Sequence, residues 1–84
     1  MLCITRAKYL RDYLIEVDFD NSSHGIINLE EFLKKDHRKI FQELRDLKKF
    51  RKIKVDLDTI TWENGADIAP GSLYELLKQQ TKTK

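Results

Sequence analysis

Alternation of apolar and polar positions dominates the first third of the chain. Tyr13, Ile15, Val17 and Phe19 alternate with Leu14, Glu16, Asp18 and Asp20, the period of a strand with one face turned inward. Residues 2–10 read as a strand before it, and Arg11-Asp12 is short enough for a hairpin turn. Asp20-Asn21-Ser22-Ser23-His24-Gly25 is dense in turn formers, and Gly25-Ile26-Ile27-Asn28-Leu29 follows as a third strand. Together these segments predict an antiparallel meander.

The period then changes. Asn28, with Glu31 three residues on, has the pattern of a capping box for a short helix carrying Leu29, Phe32 and Leu33 on one face. Ile40, Phe41, Leu44 and Leu47 recur at helical spacing, and Phe50 closes this second helix. Ile53, Val55 and Leu57 alternate with Lys52, Lys54, Asp56 and Asp58, which predicts a strand. A tight turn at Leu57-Asp58 returns the chain through Ile60 and Trp62.

A final helix begins near Pro70 and turns Leu73, Tyr74, Leu76 and Leu77 inward. Proline in a first helical turn loses no intrahelical bond, because those N–H groups lack partners anyway. Two residues compete for the cap. Asp67 could accept from the free amides, which is the preferred reading; Ala69 could hold the place, with Pro70 first in the helix. The expected architecture is α+β: one domain over residues 1–78, about five antiparallel strands, short helices, and a C-terminal helix packed on one face. Trp62 is expected between sheet and helix, and residues 79–84 as a polar tail.

Size agrees with a single domain, since 84 residues leave no room for a second core. Nothing approaches the ~20 apolar residues of a membrane span, and no basic segment precedes an apolar one at the N-terminus. The lone cysteine, Cys3, cannot form an internal disulfide. It suits a reducing cytoplasm and reads as a small buried hydrophobe.

Charge is unevenly spread. Residues 34–54 hold ten Lys/Arg against three acidic residues, and the rest of the chain has six basic against eleven acidic. Such polarity favours oriented encounters with a charged partner. The basic stretch includes Arg45, Lys48, Lys49, Arg51 and Lys52, candidates for contact with an acidic protein or with phosphates. Phe41 and Phe50, interleaved with them, lie on the apolar helical face and read as core.

Catalytic and metal-binding patterns are weak. Asp18-Phe19-Asp20-Asn21-Ser22 offers alternating oxygens, but Ser23 and Leu29 stand where a calcium loop needs Gly and Glu. His24 and His37 have no metal-ligand spacing and read as surface residues. No phosphate loop or nucleophile elbow is present. Glu63, Asn64 and Asp67 form the best polar loop, with turn and cap duties as their simplest use: Asn64-Gly65 supplies positive φ and Asp67 satisfies amides.

The run Trp62-Glu63-Asn64-Gly65-Ala66-Asp67-Ile68-Ala69-Pro70-Gly71-Ser72-Leu73-Tyr74 resembles a small, mainly bacterial family known as domain of unknown function 2442. Phe19-Asp20, Gly25-Ile26-Ile27-Asn28-Leu29 and Leu44-Arg45-Asp46 followed by Phe50 extend the resemblance along nearly the whole chain. Departures are mild: Glu63 and Leu47 stand where Pro is common. The resemblance implies a small α+β fold, no accepted catalytic residues, and genes often placed beside that of another small protein in an arrangement resembling toxin–antitoxin pairs; no cofactor is expected. It singles out Trp62, Asn64, Gly65, Asp67, Pro70, Leu73 and Tyr74. The expected function is a non-enzymatic protein-binding module, antitoxin-like, with Asn64, Asp67 and the basic residues as contacts. The alternative is nucleic-acid binding through residues 34–54, and a homo-oligomer is also admitted.

Overall fold

A computed structural model describes residues 2–82, with side chains described through Gln80. Three strands form the expected meander: β1 (Ile4–Arg11), β2 (Leu14–Phe19) and β3 (His24–Asn28), antiparallel in the order β1-β2-β3. Inward positions Ile15, Val17, Phe19 and Ile27 are buried, as their period demands. The β1–β2 turn falls at Asp12-Tyr13, one residue later than expected, with Asp12 at φ 48°. Tyr13 leaves the strand, lays its ring edge-on against Phe50 and donates its hydroxyl to Arg45 O at 2.5 Å.

Helix α1 (Glu30–Lys35) follows β3. The reciprocal capping box does not form. Asn28 Oδ1 accepts from Glu30 N at 2.9 Å, while Glu31 pairs with Lys35 at 3.6 Å. The Asn28 backbone is instead bound from the far end of the chain by Gln80.

The expected second helix is broken into α2 (Lys39–Gln42), a 3-10 turn over Glu43–Arg45, and α3 (Leu47–Phe50). Asp46 causes the break: its extended backbone ends one turn, and its carboxylate caps the next by accepting from Lys48 N at 3.0 Å. Phe41, Leu44 and Phe50 stay buried across the break, whereas Leu47, expected inward, is exposed at the start of α3.

Three short strands make a second sheet, β4 (Lys54–Asp56), β5 (Thr59–Thr61) and β6 (Asp67–Ile68), in the order β4-β5-β6. The α+β class is as expected, but among the described residues six strands in two sheets stand in place of about five in one. The two sheets meet where Ile4 N donates to Asp58 O at 2.8 Å. β4 is exposed throughout, and Leu57 sits in the expected tight turn with Asp58, 88% exposed.

Helix α4 (Pro70–Lys82) closes the molecule over β3. Leu73 and Leu77 are buried, and Leu77 lies so close to β3 that a Cβ on Gly25 would come within 2.5 Å of its Cδ1. Tyr74 sets its ring edge-on to Phe19, with centroids 5.3 Å apart. The polar tail expected from residue 79 is helical as far as Lys82, because Gln80 anchors it. Thr83 and Lys84 lie outside the described residues.

Candidate partner-binding site

The loop joining β5 to β6 is built by four residues of the C-terminal signature. Gly65 N donates to Trp62 O at 3.1 Å, and Trp62 N to Ala66 O at 3.0 Å, closing a tight turn that Gly65 completes at φ 92°. Asn64 uses both ends of its amide. Its Oδ1 accepts from Ala66 N at 3.0 Å; its Nδ2 donates to Ile40 O and Glu43 Oε1, each at 2.9 Å. The amide thus ties the loop to α2 and the 3-10 turn.

Trp62 is buried at 3% exposure. Its Nε1 donates to Phe50 O at 2.8 Å and its ring lies 5.8 Å from that of Phe50. The indole therefore clasps the end of α3, a different neighbour from the C-terminal helix expected for it. Asp67 lies exposed on β6 opposite Thr61, and no hydrogen bond to its carboxylate is present among the described residues. Its expected role as the α4 cap is corrected. Leu73 N donates to Ala69 O at 3.1 Å, which makes Ala69 the cap and Pro70 the first helical residue.

Of the basic candidates, Arg45 serves the fold. Its guanidinium donates to Leu33 O at 3.1 and 3.0 Å and to Lys34 O at 3.0 Å, closing the carbonyl end of α1. Arg38 is likewise engaged, held 2.7 Å from Asp36 and stacked 4.7 Å over the Phe41 ring. Arg38 depresses the Asp36 carboxyl to about 2.

Lys48, Lys49, Arg51 and Lys52 differ from these two. All four are exposed on α3 and the turn after it, and none forms an ion pair among the described residues. Lys49 and Lys52 border a hollow of about 350 Å³ whose wall includes Leu44, Trp62, Glu43 and Glu63. The structure thus brings two of the basic candidates together with the Asn64 loop, while Asp67 is not among the lining residues. Glu43 and Leu44 were not foreseen there. Their proximity depends on the Asn64–Glu43 bond, which spans 21 residues.

A second cluster, also unforeseen, occupies the outer face of the meander. His24 Nε2 lies 3.0 Å from Glu16 Oε2, His24 Nδ1 hydrogen-bonds Asp18, and Arg6 Nε lies 3.1 Å from the same Asp18 carboxylate. The hydrogen bond to Asp18, aided by both carboxylate charges, raises the His24 pKa; the bonds from His24 and Arg6 lower that of Asp18. The signal for this cluster was present in the alternation, since Asp18 and His24 are cross-strand partners. Burial and the Asp58 and Asp20 charges push the Cys3 thiol upward, away from nucleophilic thiolate. Among the described residues no group of three or more His, Cys, Asp or Glu could hold a metal ion, and no helix is long and apolar enough to cross a membrane.

Two small antiparallel sheets, a broken helical segment between them and a closing helix define an α+β domain whose signature loop is tied into its own framework. The chain belongs to the family described as protein of unknown function (DUF2442), whose model matches residues 4–79. No curated protein and no solved structure matches it.

Proposed function

We propose that this protein is a non-catalytic binding module that docks an acidic protein partner on the face formed by Lys48, Lys49, Arg51 and Lys52. One observation carries the reading: these four cations stand exposed without a carboxylate partner among the described residues, two of them bordering a hollow beside the Asn64 loop. Other cations, Arg6, Arg38, Lys34 and Lys35 among them, are already paired with carboxylates. Exposed cations without partners suit a protein surface that brings carboxylates.

Nucleic acid is the less favoured ligand. Phe41 and Phe50 are buried and offer no stacking surface for bases. An antitoxin-like role in a two-gene pair would supply a small protein partner of the required kind.

Co-expression with the product of the neighbouring gene tests the proposal. The expected result is co-purification at low salt, lost when Lys48, Lys49, Arg51 and Lys52 are all replaced by Gln without a change in the unfolding midpoint. Failure to co-purify, unchanged binding by the Gln variant, or preferential retention on DNA with steep salt dependence would overturn it.

A further inference from the structure

In an antiparallel edge strand, alternate residues turn their N–H and C=O away from the sheet. β3 is such a strand, pairing only with β2 in its sheet. Two bonds fix which residues point outward. Phe19 N donates to Ser23 O at 2.8 Å, and Leu29 N to Tyr13 O at 2.9 Å. With the unbroken register from Asp18↔His24 to Leu14↔Asn28, Ser23, Gly25, Ile27 and Leu29 face β2. His24, Ile26 and Asn28 therefore direct their peptide groups to the open edge.

At Asn28 that edge is closed. Gln80 Oε1 accepts from Asn28 N at 2.8 Å, and Gln80 Nε2 donates to Asn28 O at 2.9 Å. A carboxamide presents the same donor and acceptor as a peptide unit, so Gln80 occupies the place of a neighbouring strand's peptide. At His24 and Ile26 no protein partner for the outward N–H and C=O exists among the described residues. The edge is thus capped at one end and open over His24-Gly25-Ile26.

We propose that this open edge binds a second copy of the chain, β3 against β3, antiparallel about a two-fold axis at Gly25. His24 of each copy then pairs with Ile26 of the other, giving both exposed residues of both strands their missing hydrogen bonds. The two meanders become one six-stranded sheet.

Three features favour a second copy over a foreign strand. The open run is centred on Gly25 and ends where Gln80 begins, so the symmetric pairing uses all of it, whereas a longer strand would meet Gln80. Gly25 faces its own counterpart across the axis, where opposed Cα atoms approach to about 4.5 Å. The space its side chain would fill is already held by Leu77, so the axis brings the two Leu77 side chains onto one face of the joined sheet. On the other face His24, held by Glu16 and Asp18, meets Ile26, which is 50% exposed and gains cover. No pair of like charges is opposed at the joined positions. The contact is small for a specific interface, so association should depend on concentration.

Sedimentation equilibrium of the full chain, with amide exchange followed by NMR, tests the proposal. The average mass should rise towards twice that of one chain at high micromolar concentration, and the His24 and Ile26 amides should exchange more slowly as it rises. Ile26→Pro removes only an outward N–H and suits extended backbone; Ile26→Lys places a charge at the edge. Both variants should remain at single-chain mass with an unaltered circular dichroism spectrum. A parent protein at single-chain mass throughout, exchange that ignores concentration, or a dimer that survives both substitutions would overturn the proposal.

Discussion

Trp62 and Phe50 are joined twice, by a 2.8 Å hydrogen bond from the indole Nε1 to the Phe50 carbonyl and by ring contact at 5.8 Å. The bond satisfies a carbonyl at the end of α3 that has no intrahelical donor. Tyr9 and Tyr13 complete the setting by placing their rings edge-on to Phe50, at 6.0 and 5.3 Å. One residue of the signature thereby fastens the broken helical segment to the second sheet and, through Phe50, to the first.

Separating the two parts of that contact gives a graded expectation. Trp62→Phe keeps an aromatic ring but orphans the Phe50 carbonyl, and should cost about 1–2 kcal/mol. Trp62→Ala adds the loss of a buried ring and should cost roughly 3–5 kcal/mol. Urea unfolding followed by circular dichroism checks the order; equal midpoints for Trp62→Phe and the parent would refute the role of the indole N–H.

The His24 cluster makes a prediction about pH. His24 has a raised pKa when folded, so its contribution to stability is complete below the ordinary value of 6.5 and is lost as pH rises through the folded value. Asp18 is lowered, so its contribution is complete above 3.8 and is lost as pH falls through the folded value. Their joint contribution is therefore greatest between these ordinary values. An NMR titration should place the His24 midpoint above 6.5, and Asp18→Asn should return it towards that value. A midpoint unmoved by Asp18→Asn would show that the pairing does not persist in solution.

The turn between β4 and β5 holds a reserve of strain. Leu57 and Asp58 both have positive φ, 52° and 70°, and Leu57 is 88% exposed. This two-residue hairpin turn favours Asn-Gly, and non-glycine residues in left-handed conformations cost on the order of 1–2 kcal/mol. Leu57→Asn with Asp58→Gly should raise stability by about 1 kcal/mol. Thermal unfolding measures it, and a lowered midpoint would show that Leu57 makes a contact worth more than the strain.

Much of this fold was legible in the sequence. The meander follows from alternation along β2, the Leu57-Asp58 turn from the change of direction it must make, and the last helix from Pro70 and the spacing of Leu73 and Leu77. What was not legible has specific physical causes. Alternation in Ile53, Val55 and Leu57 announces a strand but not whether anything covers its face, and little covers β4. The helical spacing of Phe41, Leu44 and Phe50 survives the break at Asp46 because all three still reach one core.

Polar residues were harder to assign than apolar ones. Gln80 belongs to a run that reads as a tail, yet its amide acts on Asn28, 52 residues away. Arg45 lies in a basic run that reads as a contact surface, although its guanidinium is spent on the carbonyls of α1. Asn64 was expected to supply a turn, and it also binds Ile40, 24 residues distant. A hydrogen bond between distant segments leaves no periodic trace in a sequence.

In the proposed reading the family signature holds the fold together and partner contact falls to the cationic face. The most direct measurement is the chemical unfolding curve of Asn64→Ala, which removes the links to Ala66, Ile40 and Glu43 together. The expected result is a loss of about 1–3 kcal/mol. A curve that superimposes on the parent would contradict the claim and return Asn64 to the ranks of functional residues.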